Sequence, residues 1–244
     1  MRAGQKRRHQ NAKLLLEQLN HLKQLQDKDI INHTSPEQRL LKQWQSERLQ
    51  RTHADLLHNP RYKPAVEFFL EELYGNKDFS RRDSDMERAA PLLIKTMPAN
   101  VLHTLAMGIE LNVLSHELDA KLLQVLIQDL GVKEQITEAA YAKAYRLCDN
   151  YARRARQIEL IDMLGKDLDR AVHNPFVYAA VLMSKGPAHL AGFGQLHEFI
   201  ESGFKAFRHM AGAQEFLQTI VGREQQILDR IYSGHPHPFR QFPL

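Results

Sequence analysis

Tyr145, Arg154 and Gln157 fall in one helical stretch, and His197 and Glu201 stand four apart in a later one. A phenol, a guanidinium, an amide, an imidazole and a carboxylate are the groups that line a polar ligand site, where each orients a bound molecule through hydrogen bonds. These five are the candidates for holding a haem, a metal-containing cofactor or a small molecule inside a helical bundle. They lie far apart in the chain, so only folding can unite them. On a helix, Tyr141, Tyr145 and Arg156 would share one side, with Arg154 and Gln157 on the next. A plainer account is preferred for this stretch: a helix buried on one side, with Arg153, Arg154 and Arg156 running their stems along apolar surface and keeping their heads in water.

Thirteen histidines raise the question of a metal. Metal sites in helical bundles use Glu-x-x-His or His-x-x-x-His, which put two ligands on one face. No Glu-x-x-His occurs; Asp55-x-x-His58 has the spacing once, just before Asn59-Pro60. Asp169 and His173 repeat the four-residue interval of His197 and Glu201, and each pair is as readily a surface contact. His235 and His237 stand in a Pro-rich tail, and Cys148 has no second thiol. No metal ligand is assigned. No Walker A loop, Gly-x-Ser-x-Gly, His-Glu-x-x-His or kinase set is present, and the glycines of "GPAHLAGFG" follow no strand.

Two basic features could meet a partner or an anion. Arg81 and Arg82 sit in "FFLEELYGNKDFSRRDSDMERAAP", where Gly75 reads as a helix stop and Ser80-x-x-Asp83 as a capping box. Caps and turns account for most of that corner, which leaves the two arginines as candidates for an anionic or protein contact. Residues 1–60 hold 11 Lys/Arg against 6 Asp/Glu, whereas the rest of the chain is close to neutral. Arg2, Lys6, Arg7, Arg8 and Lys13 could follow phosphates. No aromatic residue interleaves with them as a single-strand platform requires, so a solvated, frayed start is expected and nucleic acid is disfavoured.

The elements that must position these groups are helical. Leu15, Leu19, Leu22 and Leu25 make one stripe; Ser35-Pro36 opens a helix expected to run to about Leu57 through Leu41, Trp44 and Leu49. Val66, Phe69, Leu70 and Leu73 mark the next. Met86 to Met97 and Val101 to Leu126 continue the pattern, and Gly131 closes it. From Thr137 to Asn174-Pro175 no breaker intervenes except Gly165, so one long helix kinked near that glycine is expected. "FVYAAVLMSKG" is apolar enough all round to predict a central buried helix. Two more helices follow, and the Pro/His tail from Gly234 should be extended.

The stretches "FFLEELYGNKDFSRRDSDMERAAPLL", "AYAKAYRLCDNYARRARQIELIDMLGKDLDRAVHNP" and "GPAHLAGFGQLHEFIESGFKAFRHMAGAQEFLQTIVGRE" resemble a bacterial family of all-helical proteins of unknown function. The resemblance covers about residues 36–233 and implies no catalytic residue. It carries an FFLxxLYGxxDFSxRD motif. The expected architecture is an all-α, single-domain bundle of about eight to ten helices. The basic helix and linker would occupy residues 1–34, the helical domain 35–233 and the extended tail 234–244. The single cysteine and the absence of an apolar run of about 18 residues suit a cytosolic protein without a membrane span. With no repeated acid–base or ligand pattern, the first functional expectation is a non-enzymatic interaction or regulatory module with a protein partner. The alternative is an enzyme or cofactor binder with an interior polar site, and nucleic-acid binding through the basic start ranks third.

Overall fold

The computed structural model describes residues 2–27, 35–73 and 80–240. Among them every regular element is helical. In chain order these are α1 (Arg2–Asp27), α2 (Pro36–Thr52), α3 (Ala54–His58), α4 (Lys63–Leu73), α5 (Ser80–Thr96) and α6 (Ala99–Gln124). A π-helical turn, Val125–Asp129, extends α6. Then come α7 (Glu138–Leu147), α8 (Tyr151–Val172), α9 (Pro175–Met183), α10 (Lys185–Leu190), α11 (Gly194–Met210) and α12 (Gln214–Tyr232). Twelve α-helices in the described residues exceed the expected eight to ten, because two stretches read as continuous are broken and a short helix, α10, forms in the glycine-punctuated corner.

The first break is at His53. Its backbone leaves the helical region (φ −116°, ψ 27°), ending α2 and starting α3. Adjacent charges of α12 grip both sides of this break. Arg223 forks onto Asp55 at 2.6 and 2.8 Å and donates to the carbonyl of Thr52, while Glu224 takes Arg48 and His53. The second break is at Asp149, which adopts a left-handed conformation (φ 46°) between α7 and α8. Aspartate is among the few non-glycine residues that enter this region without large cost. Gly165 does not break α8. It lies inside an unbroken helix, and a Cβ there would collide with the side chain of Leu217, so the glycine lets α12 approach α8 closely.

Caps follow the sequence where they are described. Ser35 Oγ accepts from the Gln38 amide at 3.2 Å and Gln38 Oε1 accepts from the Ser35 amide at 2.9 Å, a reciprocal capping box. The Gly75 turn lies outside the described residues, as does the Ser80 side chain. Asp83 is buried and accepts from Arg82 and from Asn112 of α6.

The basic first helix is docked, not frayed. Leu15, Leu19, Leu22 and Leu25 are buried against Leu102, Ala106, Ile109 and Val113 of α6. Arg8 donates to the carbonyls of Ile94, Lys95 and Met97, where α5 ends and its carbonyls lack helical partners. The "FVYAAVLM" helix is not central either. α9 lies at the surface with no fully buried residue; only Tyr178 and Val181 pack against the core of α4, α11 and α12. The tail folds back instead of extending outward. Pro238 is buried, and Phe239 packs on Trp44 and Tyr141. Among the described residues, no helix is long and apolar enough to cross a membrane.

Candidate functional site

Four helices converge on a cavity of about 90 Å³. α2 supplies Gln45 and Arg48 one turn apart, followed by His53 at the break. α7 supplies Tyr141 and Tyr145, and α8 supplies Arg154, Gln157, Ile158 and Ile161. α12 supplies Ile220, Glu224, Ile227, Leu228 and Ile231. Spacings of three, four and seven put each set on one helix face. Val66, Phe69 and Leu70 of α4 close another side, and Phe239 of the tail completes the wall. Polar and aliphatic side chains thus line one hollow together.

The polar half is deeply buried. Gln45, Arg48, His53 and Arg154 are each 6% exposed or less. Arg48 Nη1 reaches both carboxylate oxygens of Glu224, at 2.5 and 2.7 Å, and His53 Nε2 is 3.0 Å from Glu224 Oε1. Burial pushes the Glu224 carboxyl up, but the Arg48 charge and the His53 hydrogen bond outweigh it and hold the group at about 2. Arg154 donates to the Leu118 carbonyl (3.2 Å) and to Gln157 Oε1 (3.2 Å), and its guanidinium lies 4.5 Å from the Tyr145 ring centre. Gln157 donates to Ser115 at 2.7 Å, and Gln45 donates to Asp119 at 3.0 Å. Burial pushes the Tyr141 phenol up to about 12 and raises Tyr145 as well. Trp44 stacks on Tyr141 with ring centres 3.9 Å apart.

Two acceptor or donor atoms stand apart from this network. Gln45 Oε1 and His53 Nδ1 are buried without a hydrogen-bond partner among the described residues. Leaving such a group unmet costs about 1–3 kcal/mol.

Tyr145, Arg154 and Gln157 therefore meet in one place. His197 and Glu201 lie elsewhere, on α11 beneath α9 and α10. His197 Nε2 is 2.8 Å from the Val181 carbonyl, and Glu201 pairs with Lys205 at 2.6 Å and Lys185 at 3.3 Å. Arg81 is exposed, while Arg82 pairs with Asp83 at 3.3 Å and lies 4.8 Å from the Phe199 ring centre. The sequence reading missed Gln45, Arg48, His53 and Glu224. A signal existed: Arg48 interrupts the buried stripe of Leu41 and Trp44, and Glu224 interrupts that of Phe216, Leu217, Ile227, Leu228 and Ile231. A charge on a buried stripe needs a partner.

A larger hollow of about 540 Å³ opens between α3 and the start of α12. It is a surface groove whose charged groups already pair with one another, Asp55 with Arg223 and Glu215 with Tyr62 and Arg61. No group of three or more His, Cys, Asp and Glu among the described residues could hold a metal ion.

The geometry defines an all-α helical bundle whose interior holds a charged, hydrogen-bonded cluster beside a cavity. Residues 21–238 match the family described as Domain of unknown function (DUF8198), and the chain belongs to that family. The match takes in part of α1 and most of the folded tail, wider than the 36–233 of the motif resemblance. No curated protein and no solved structure matches the chain.

Proposed function

We propose that this protein binds a small, electrically neutral or zwitterionic amphiphile in the cavity between α2, α7, α8 and α12. The observation that carries this reading is the mixed lining. Arg48, His53, Arg154, Gln157 and Glu224 share it with Ile158, Ile161, Ile220, Ile227 and Leu228. Buried ion pairs contribute little to stability beyond what apolar residues of the same volume would give, so a cluster of this kind at a hollow fits a binding role. The charges set the ligand class. Arg48 is matched by Glu224 and Arg154 faces Asp119, so the wall has no net charge to attract a bare anion or cation. Gln45 Oε1 calls for a hydrogen-bond donor on the ligand. At about 10–15 Å³ per water-sized group, the cavity takes about six to nine such groups.

Binding, not turnover, is the reading. Glu224 is held at about 2 and Tyr141 at about 12, so neither is poised to exchange a proton near neutral pH. Thermal unfolding of the full chain against a panel of small neutral and zwitterionic amphiphiles tests it. At least one compound should raise the melting temperature of the wild type and leave an Ile158→Phe variant, whose ring fills the cavity, unshifted. A panel without effect, or equal shifts in both proteins, refutes the reading.

A second reading, an interaction or regulatory module, draws on the exposed apolar face of α9 and α10. Nucleic-acid binding gains little support. Arg8 is committed to the carbonyls at the end of α5 and Lys13 lies 3.5 Å from Glu17.

A further inference from the structure

α9 and α10 present a surface that the cavity does not explain. Phe176, Met183 and Leu190 are 85%, 74% and 91% exposed, and Val177 and Leu182 are 39% and 42% exposed. No charged residue occurs from Asn174 to Ser184. This helix is nevertheless firmly placed. The Asn174 side chain accepts from the amides of Phe176 and Val177, Pro175 takes the first helical position, and Tyr178 and Val181 pack inward. The Arg208 guanidinium lies 3.9 Å from the Tyr178 ring centre and fixes the inner side. The outer side is thus an ordered platform, already shaped before anything meets it.

We infer that the chain forms a homodimer through antiparallel contact of α9 with the α9 of a second copy. Three features select a second copy. Along the outer face, Phe176 and Met183 are large and Ala179 and Ala180 between them are small and exposed. That order reads the same in both directions, so an antiparallel twin sets each Phe176 beside the twin's Met183 with the alanines at the two-fold axis. Exposed charges of both signs flank this face as its rim, Lys185 positive and Glu198 negative. Such a rim complements itself, whereas a rim of one sign would select an oppositely charged partner. The area points the same way. At roughly 150 Å² for each fully exposed large side chain, Phe176, Val177, Leu182 and Met183 offer on the order of 360 Å² per copy. Two copies then bury about 700 Å², and Ala179, Ala180 and the rim bring the contact toward the roughly 1,000 Å² where specific interfaces begin.

Sedimentation velocity of the full chain over about a hundredfold range of concentration tests this. The wild type should sediment as a dimer that dissociates on dilution. A Phe176→Ser, Met183→Glu variant, altered only at well-exposed positions, should sediment as a monomer with an unchanged circular dichroism spectrum. A Leu92→Glu control on α5 should stay dimeric. If the double variant fails to fold, Ala180→Cys in a Cys148→Ser background replaces it, and should form a disulfide-linked dimer on mild oxidation. A wild type that is monomeric throughout overturns the proposal, whether or not it binds neutral lipid vesicles or another protein. So does a dimer that survives the Phe176 and Met183 changes, or an Ala180→Cys chain that does not cross-link.

Discussion

Glu224 shows how one residue holds a site together and links it to pH. The carboxylate accepts from Arg48 and His53 inside the protein, and its folded value of about 2 lies below the ordinary 4.5. A depressed carboxyl contributes stability that is complete above its unfolded value and fades as pH falls through the folded one. Here the window runs from about 4.5 down to about 2, and the contribution is about 3 kcal/mol. Glu224→Gln leaves Arg48 buried without its counter-charge, at a cost of about 3–5 kcal/mol near neutral pH. Urea unfolding at several pH values should show the wild type losing stability more steeply than the variant across that window. Parallel profiles would remove the charge from the account.

At the level of the helix, Gly165 and Leu217 make the contact that fixes α12 against α8. Gly165→Ala drives the new methyl into Leu217, and overpacking of this kind costs about 1–3 kcal/mol. Leu217→Ala alone leaves a cavity and costs about 2–5 kcal/mol. Together the two changes should cost less than their sum, and a double-mutant cycle of urea unfolding checks the coupling. Helices were readable from the chain wherever apolar spacing alone decides, as with Leu15 to Leu25 or the Ser35 cap. Their limits were not. The break at Asp149 carries neither glycine nor proline, and the one at His53 depends on Arg223 and Glu224, far away in sequence. The exposure of α9 was illegible for a different reason: hydrophobicity says which side chains avoid water, not which neighbour covers them. Of the site, Tyr145, Arg154 and Gln157 were visible because one helix carries them or its neighbour does. Arg48 and Glu224 were hidden among leucines and isoleucines.

Across the whole molecule, the basic first helix and the tail are built into the same body as the remaining helices. Removing residues 1–34 strips Leu15, Leu19, Leu22 and Leu25 from α6 and uncovers Leu102, Ala106, Ile109 and Val113. At about 1.5–3 kcal/mol per buried leucine, the loss approaches the roughly 5–15 kcal/mol by which a domain is stable. The truncated chain should show no cooperative thermal transition by far-ultraviolet circular dichroism. A sharp native-like melt would instead mark α1 as an appendage. At the opposite end of the chain, Pro238 and Phe239 turn back to close the wall over Trp44 and Tyr141. Trp44 is the only indole in the protein. Ultraviolet emission excited at the red edge of its absorption therefore comes from one spot, flanked by the phenol of α7 and the closing phenyl ring, and a guest in the hollow or a loosened tail would change the surroundings of that single fluorophore.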